Sequence, residues 1–266
     1  MKKRVISAII MLIVVIPLII IGGVPFRLGT LAIGLLGLKE LLDIRKSKKN
    51  FPFIMKGISY ILLTVLILSN NSSTIIEYIL NYKFIAITLF TLLIPLVIYQ
   101  NNKKYSINDA MYLIGTLFFL GIAFNLIILV RNYSLVFLIY LLLITVITDT
   151  FAYITGVYIG KTKMCEKISP KKTWEGFVGG TFFGVLIPSM FYFTVINPTV
   201  DVVLLAASTT FLSLLGQAGD LVFSSIKRYF DKKDFSNLIP GHGGILDRLD
   251  SLIFVLLGFV VILEIL

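Results

Sequence analysis

The chain predicts an all-α, polytopic integral membrane protein of about nine transmembrane helices with its N-terminus in the cytoplasm. Composition is the first reason. Of 266 residues, 58% are hydrophobic and only 14% charged, against about a quarter charged in soluble domains. The second is length: several apolar runs approach or exceed the roughly 18 residues that suggest a spanning helix. The third is an asymmetry in where the basic residues fall. The single cysteine, Cys165, excludes an intramolecular disulfide and a Cys-based zinc site.

Hydropathy along the chain predicts spans near 5–22, 27–44, 52–69, 83–99, 110–130, 134–159, 176–196, 202–222 and 246–266. The first follows Lys2, Lys3 and Arg4 and ends at Gly22-Gly23-Val24-Pro25. No small-residue cleavage site follows it, so it reads as an uncleaved helix. The stretch before Asp149 is mostly Ile, Leu, Phe and Val, broken by polar turns such as Asn70–Ser73 and Asn101–Lys104. The organisation expected is one transmembrane domain over 1–266. Scaffold helices fill 1–148 and catalytic segments at the cytoplasmic face fill 149–251. Small residues recur four apart at Gly156/Gly160 and Gly176/Gly180/Gly184, a spacing that lets helices approach closely.

With the N-terminus inside, loops 45–51, 100–109, 160–175 and 223–245 face the cytoplasm. Only Arg27, Lys83 and Arg131 of the 24 Lys and Arg then fall on the outer side, as the positive-inside rule requires. The net charge of +10 is thus a cytoplasmic-face property. Topology control and anionic headgroups account for it, and for Arg45, Lys46, Lys48, Lys49, Lys103 and Lys104 in particular. Nucleic acid is not implied.

Two polar segments need more than topology. In the first, Asp149 sits inside an apolar helix, where a carboxylate is costly and is either paired with a neighbouring cation or functional. The following loop carries Lys161, Lys163, Lys167, Lys171 and Lys172. Ser169-Pro170-Lys171-Lys172-Thr173 sets two cations beside hydroxyls in an expected turn, a combination suited to phosphate. Alone, it would pass for a basic inside loop.

The second segment begins at Gln217, Gly219 and Asp220 and runs to Ser251. If its helix continues, Asp220, Ser224, Lys227 and Asp231 share one face. A metal at Asp220 would then neighbour a phosphate held by Lys227 and Arg228. A snorkelling helix end is the plainer alternative. Pro240-Gly241-His242-Gly243-Gly244 breaks the helix and favours a tight turn with exposed N–H groups. The last span opens with Asp247, Arg248 and Asp250, two carboxylates three residues apart around a cation. A Gly-rich turn leading into a helix N-terminus suits an anion. Joined to those carboxylates it suggests a cradle for a metal–triphosphate. Mg²⁺ is the natural ion, because it binds a few carboxylates and completes its shell with phosphate oxygens and water. His242, the only histidine, is read as a phosphate contact.

At these residues the chain resembles the phosphatidate cytidylyltransferases, or CDP-diacylglycerol synthases. The resemblance rests on Ser224, Lys227-Arg228, Lys233-Asp234, Ser236, Pro240, His242-Gly243-Gly244, Asp247-Arg248 and Asp250, every fixed position at the right spacing. Upstream, Asp149-x-x-Ala152-Tyr153, Gly160-Lys161, Ser169-Pro170-Lys171-Lys172-Thr173 and Gly219-Asp220-Leu221 also look like the family's. Phe223 departs, since many members carry Glu there. The likeness is specific over about 149–251.

It implies a reaction of CTP with phosphatidate to give CDP-diacylglycerol and pyrophosphate in a cell membrane, at a site facing the cytoplasm. It implies catalytic roles for Asp220, Lys227, Arg228, Asp247 and Arg248. Substrate phosphate would meet Lys171, Lys172, Ser224, His242, Gly243 and Gly244. Asp220, Asp247 and Asp250 would hold Mg²⁺, with a monovalent ion such as K⁺ as a second candidate, and Asp250 could instead orient Arg248 or Lys227. A homodimer is the family's suggestion. Two rivals stay open on the residues alone. One is a transporter of an anionic substrate, against which the charges cluster at one face rather than mid-span. The other is an enzyme of the same chemistry acting on a polyprenyl or ether-linked lipid.

Overall fold

The computed structural model describes residues 2–69, 82–99 and 104–263. The polar turns at 70–73 and 101–103, with the last three residues of the final predicted span, lie outside the described residues. Helices α1 (Lys2–Ile21), α2 (Gly23–Lys46), α3 (Phe53–Leu68), α4 (Tyr82–Leu93) and α5 (Pro95–Ile98) come first. They are followed by α6 (Ile107–Tyr133), α7 (Leu135–Tyr158), α8 (Trp174–Phe191), α9 (Val202–Tyr229) and α10 (Leu246–Ile262). Every predicted span coincides with helix among the described residues. Among the described residues, four helical stretches are long and apolar enough to cross a membrane: α6, α7, α8 with its π-helical extension Tyr192–Ile196, and α9. Ile6–Ile21, Phe53–Leu68 and Lys83–Ile98 are shorter apolar helices.

Three local expectations change. The span at 83–99 is two helices, because Pro95 has no N–H to continue the ladder of α4. The basic segment after α7 is a small sheet rather than a loop. Strand β1 (Lys163–Cys165) runs antiparallel to β2 (Ser169–Thr173), with Lys163 opposite Thr173 and Cys165 opposite Ser169. Pairing satisfies backbone groups that no helix takes up here. Finally, α9 stops at Tyr229. Lys232 N donates to Lys227 O at 2.9 Å and Asp231 N to Arg228 O at 3.0 Å, with Asp231 left-handed at φ 54°. That is a Schellman cap. It turns the chain at Asp231, which therefore leaves the helical face of Asp220, Ser224 and Lys227.

The chain forms two compact units. The first comprises Met1–Leu129 and Phe235–Ile245. Leu38, Leu63, Ile67, Leu117 and Phe124 are its fully buried heart. The Asn125 amide of α6 donates to Ile67 O of α3 at 2.9 Å, and Tyr112 OH donates to Leu41 O of α2 at 2.7 Å. At one end the Asp109 carboxylate accepts from Arg45, from Lys49 at 2.5 Å, and from Ser106 N and Oγ at 2.8 and 2.7 Å. The Arg45 guanidinium lies over Phe51 and Tyr112. Arg45 and Lys49 thus join an ion-pair cluster that their position in a basic loop does not reveal.

The second unit comprises Val130–Asp234 and Leu246–Leu266. Gly176, Gly180 and Gly184 lie along α8 and face Thr148, Ala152 and Gly156 of α7. A Cβ at Gly180 would meet Thr148 O at 2.8 Å and Ala152 Cβ at 2.7 Å, so the stripe does serve close packing. Hydroxyls and an amide lace α7, α8 and α9 together. Tyr140 OH and Thr209 Oγ1 lie 2.7 Å apart, Thr148 Oγ1 and Ser213 Oγ 2.9 Å, and Gln217 donates to Thr181 Oγ1 at 2.8 Å. In an apolar solvent such interhelical bonds replace the hydrophobic drive that water would supply.

Candidate active site

A cavity of about 680 Å³ opens in the second unit, within the range of small-molecule sites. Elements α7, β1, β2, α8, α9 and α10 line it. From α7 comes Asp149, and from β2 come Lys171 and Lys172. Helix α9 contributes Asp220 and Lys227, seven residues apart and so on one face. Asp247, Arg248 and Asp250 enter from the first turns of α10. The hairpin is why the lysines reach the cavity. Thr173 ends β2 and caps α8, accepting from Gly176 N at 3.1 Å, and this pins the strand beside the glycine stripe.

Two ion pairs stand in its wall. Lys172 Nζ lies 2.8 Å from Asp220 Oδ2 and also donates to Gln217 O at 3.3 Å. Lys227 Nζ donates to Asp247 Oδ1 at 2.6 Å, and that pair is deep, with side chains 11% and 3% exposed. Lys227 therefore engages Asp247. Asp250 Oδ1 accepts from Ser251 N at 2.9 Å. Asp149 is absent from the ion pairs among the described residues and faces the cavity instead.

Other predicted residues fall elsewhere. Ser224 Oγ donates to Asp220 Oδ1 at 3.3 Å from one helical turn away, behind the lining. Arg228 points outward, roughly 100° around the helix from Lys227. Its Nε donates to Ile168 O at 3.2 Å, at the turn of the hairpin, and Nη1 to Lys232 O at 3.1 Å. His242, Gly243 and Gly244 belong to the first unit. There Ser7 Oγ donates to Pro240 O at 3.0 Å and lies 2.8 Å from His242 Nδ1. A carbonyl can only accept, so the hydroxyl hydrogen goes to Pro240 and Nδ1–H donates to Ser7. In the neutral ring the lone pair is then on Nε2.

The model of the cytidylyltransferase family matches residues 2–266. The chain belongs to that family. Proteins named phosphatidate cytidylyltransferase resemble it along nearly their whole length. One from Staphylococcus aureus (strain COL) is 38% identical over 257 residues, covering 96% of each chain. One from Staphylococcus haemolyticus (strain JCSC1435) is 37% identical, again over 96% of each chain.

For a cytidylyltransferase the cavity has two features that reading the residues singly did not bring out. Lys163 and Asp234 also line it. Lys163 reads in sequence as one more basic loop residue, and only the hairpin, which sets it opposite Thr173, brings it to the cavity. Gln217 has its side chain turned to α8 and its carbonyl to Lys172, so it orients rather than binds. As for a metal, no three carboxylate, imidazole or thiol side chains converge into a ready cage among the described residues. Asp149, Asp220, Asp247 and Asp250 nevertheless line the same cavity. A hard divalent cation that takes one or two carboxylates and finds its other ligands on substrate phosphates fits such a donor set.

Proposed function

We propose that this protein transfers the cytidylyl group of CTP to phosphatidate, forming CDP-diacylglycerol and pyrophosphate for phospholipid synthesis. The observation that carries the reading is the gathering of Lys171, Lys172, Lys227 and Arg248 with Asp149, Asp220, Asp247 and Asp250 in the lining of one cavity. Phosphoryl chemistry between two anions needs charge neutralisation and in-line positioning more than covalent participation. A phosphate-monoester oxygen of the lipid forms the new bond to the α-phosphorus of CTP. The bond from that phosphorus to its bridging oxygen breaks, and the electron pair leaves on pyrophosphate. The attacking oxygen is already ionised, so no general base is required.

Lys172 and Lys227 wait on carboxylates, and an entering phosphate competes for their ammonium donors. Arg248 offers a planar fork for phosphate oxygens. Asp220, Asp247 and Asp250 are the proposed Mg²⁺ ligands, with K⁺ as a candidate second ion. When bound, Mg²⁺ supplies neutralisation of phosphate charge that lysines alone cannot match.

The membrane setting follows from the charge distribution: nine spans, the N-terminus inside, and the site at the cytoplasmic headgroup level of the cell membrane, where a soluble nucleotide meets a lipid. A homodimer is the assembly proposed. The test is incorporation of labelled CTP into chloroform-soluble lipid by purified protein. We expect incorporation that needs both phosphatidate and Mg²⁺, and that Asp247→Asn abolishes without unfolding the protein. Incorporation independent of phosphatidate, or full activity of Asp247→Asn, would sink the reading.

A further inference from the structure

The β1–β2 hairpin brings Lys163, Lys171 and Lys172 to the cavity, and its two ends are held by different means. Its base is tied to α8. Trp174 N donates to Thr162 O at 3.0 Å, Thr162 N donates to Glu175 Oε1 at 3.1 Å, and Thr173 caps the helix. Its turn, closed by Ile168 N to Cys165 O at 3.2 Å, lies at the far end. There it meets Arg228 of α9, whose Nε donates to Ile168 O at 3.2 Å. The same guanidinium reaches Lys232 O through Nη1 at 3.1 Å. One planar fork thus serves two carbonyls in different segments, a geometry that the point charge of a lysine does not fix. Arg228 itself is absent from the cavity lining.

The hairpin meets α9 at a second place, where Lys172 Nζ lies 2.8 Å from Asp220 Oδ2. From Ile168 to Lys172 an extended chain covers about 13 Å. From Asp220 to Arg228 the helix rises about 12 Å. Strand and helix therefore run in opposite directions over matched lengths, pinned at both ends. The two pins differ in permanence. The Lys172–Asp220 pair is the one that an entering phosphate competes for. The Arg228 bond goes to a backbone carbonyl and does not depend on which anion Lys172 faces.

We propose that Arg228 is a positioning residue for cytidylyl transfer: it clasps the hairpin turn to α9 and keeps Lys171 and Lys172 at the cavity while Lys172 exchanges Asp220 for substrate phosphate. This role takes the place of the phosphate contact that its position beside Lys227 suggests. Its catalytic meaning rests on the function proposed above; the clasp does not.

Two measurements on purified protein test it. Amide hydrogen exchange in the peptide covering 163–173, without substrate, should rise in Arg228→Ala and rise less in Arg228→Lys, with α7 peptides unchanged. The kcat/KM for CTP should fall about 100-fold in Arg228→Ala, the scale of a misplacement near one ångström, with Arg228→Lys between it and wild type. A double-mutant cycle with Lys172→Ala separates positioning from contact. Because Arg228 acts through the hairpin lysines, the loss in Arg228→Ala/Lys172→Ala should be smaller than the product of the two single losses. A guanidinium that itself binds phosphate would give the full product, and wild-type exchange in the hairpin; either result overturns the proposal. Raised exchange with wild-type kcat/KM in Arg228→Ala would overturn it too, since the hairpin would then be loose without consequence. If Arg228→Ala does not fold, Arg228→Lys decides: raised hairpin exchange with lowered kcat/KM supports the clasp, and wild-type exchange sinks it. Should the wild type transfer no cytidylyl group at all, the proposed function falls, while hairpin exchange still decides whether Arg228 holds the turn.

Discussion

Removing the cation from Lys227 should cost far more stability than removing the one from Lys172, although both lysines line the same cavity. Lys227→Met leaves the Asp247 carboxylate, 3% exposed, without the ammonium now 2.6 Å away. Breaking a buried pair from one side costs about 3–5 kcal/mol, because the surviving charge stays desolvated. Lys172 and Asp220 are 25% and 31% exposed, so water screens the loss and the expected cost is about 0–1 kcal/mol. At about 2–4 °C per kcal/mol for a chain of this size, Lys227→Met should melt at least about 6 °C below wild type and Lys172→Met within a few degrees of it. The double variant Lys227→Met/Asp247→Asn, with both charges gone, should recover most of the stability and none of the activity. Thermal unfolding in detergent, read by the fraction remaining monodisperse, measures the first quantity, and CTP incorporation into lipid the second. Equal melting of the two single variants would refute the burial argument. So would a double variant no more stable than Lys227→Met.

Three further outcomes test the scaffold. Gly180→Ala should destabilise by about 1–3 kcal/mol as its Cβ forces α7 and α8 apart, whereas Gly115→Ala, with nothing within 4 Å of the new carbon, should be neutral or slightly stabilising. Comparing the two melting curves suffices, and equal shifts would discount the glycine stripe. Asp109→Ala strands Arg45 and Lys49 and should lower stability by about 3–5 kcal/mol while the folded fraction keeps its specific activity. Loss of activity in excess of loss of fold would give that cluster a catalytic role. For topology, single-cysteine probes in 160–175 and 223–245, introduced after Cys165→Ser, should resist an impermeant reagent in sealed cells. Labelling from outside would reverse the orientation.

The class of this protein follows from its sequence alone, because membrane insertion depends on additive, local quantities. Hydropathy summed over a window marks the helices, and each predicted span is helical among the described residues. The family was equally legible, since Lys227-Arg228, His242-Gly243-Gly244 and Asp247-Arg248-x-Asp250 are spacings along one strand of chain. So was the likeness of Gly176, Gly180 and Gly184 to a packing face, which helical periodicity alone sets. What periodicity cannot supply is pairing between distant segments. Lys227 and Arg228 are neighbours in sequence and carry the same charge. Only the packing of α9 against α10 turns Lys227 to Asp247, leaving Arg228 to hold the hairpin turn. The hairpin itself was hidden, because Lys163–Cys165 and Ser169–Thr173 are too short and too polar to signal strands. The chain also hid the hydrogen bond that Ile245 N donates to Glu40 Oε1, since residues 205 apart in sequence meet only when the helices between them have packed. Local composition decided which segments are helical and which family they serve. Tertiary structure decided which charge faces which, because that choice is made by burial, and burial belongs to the folded molecule.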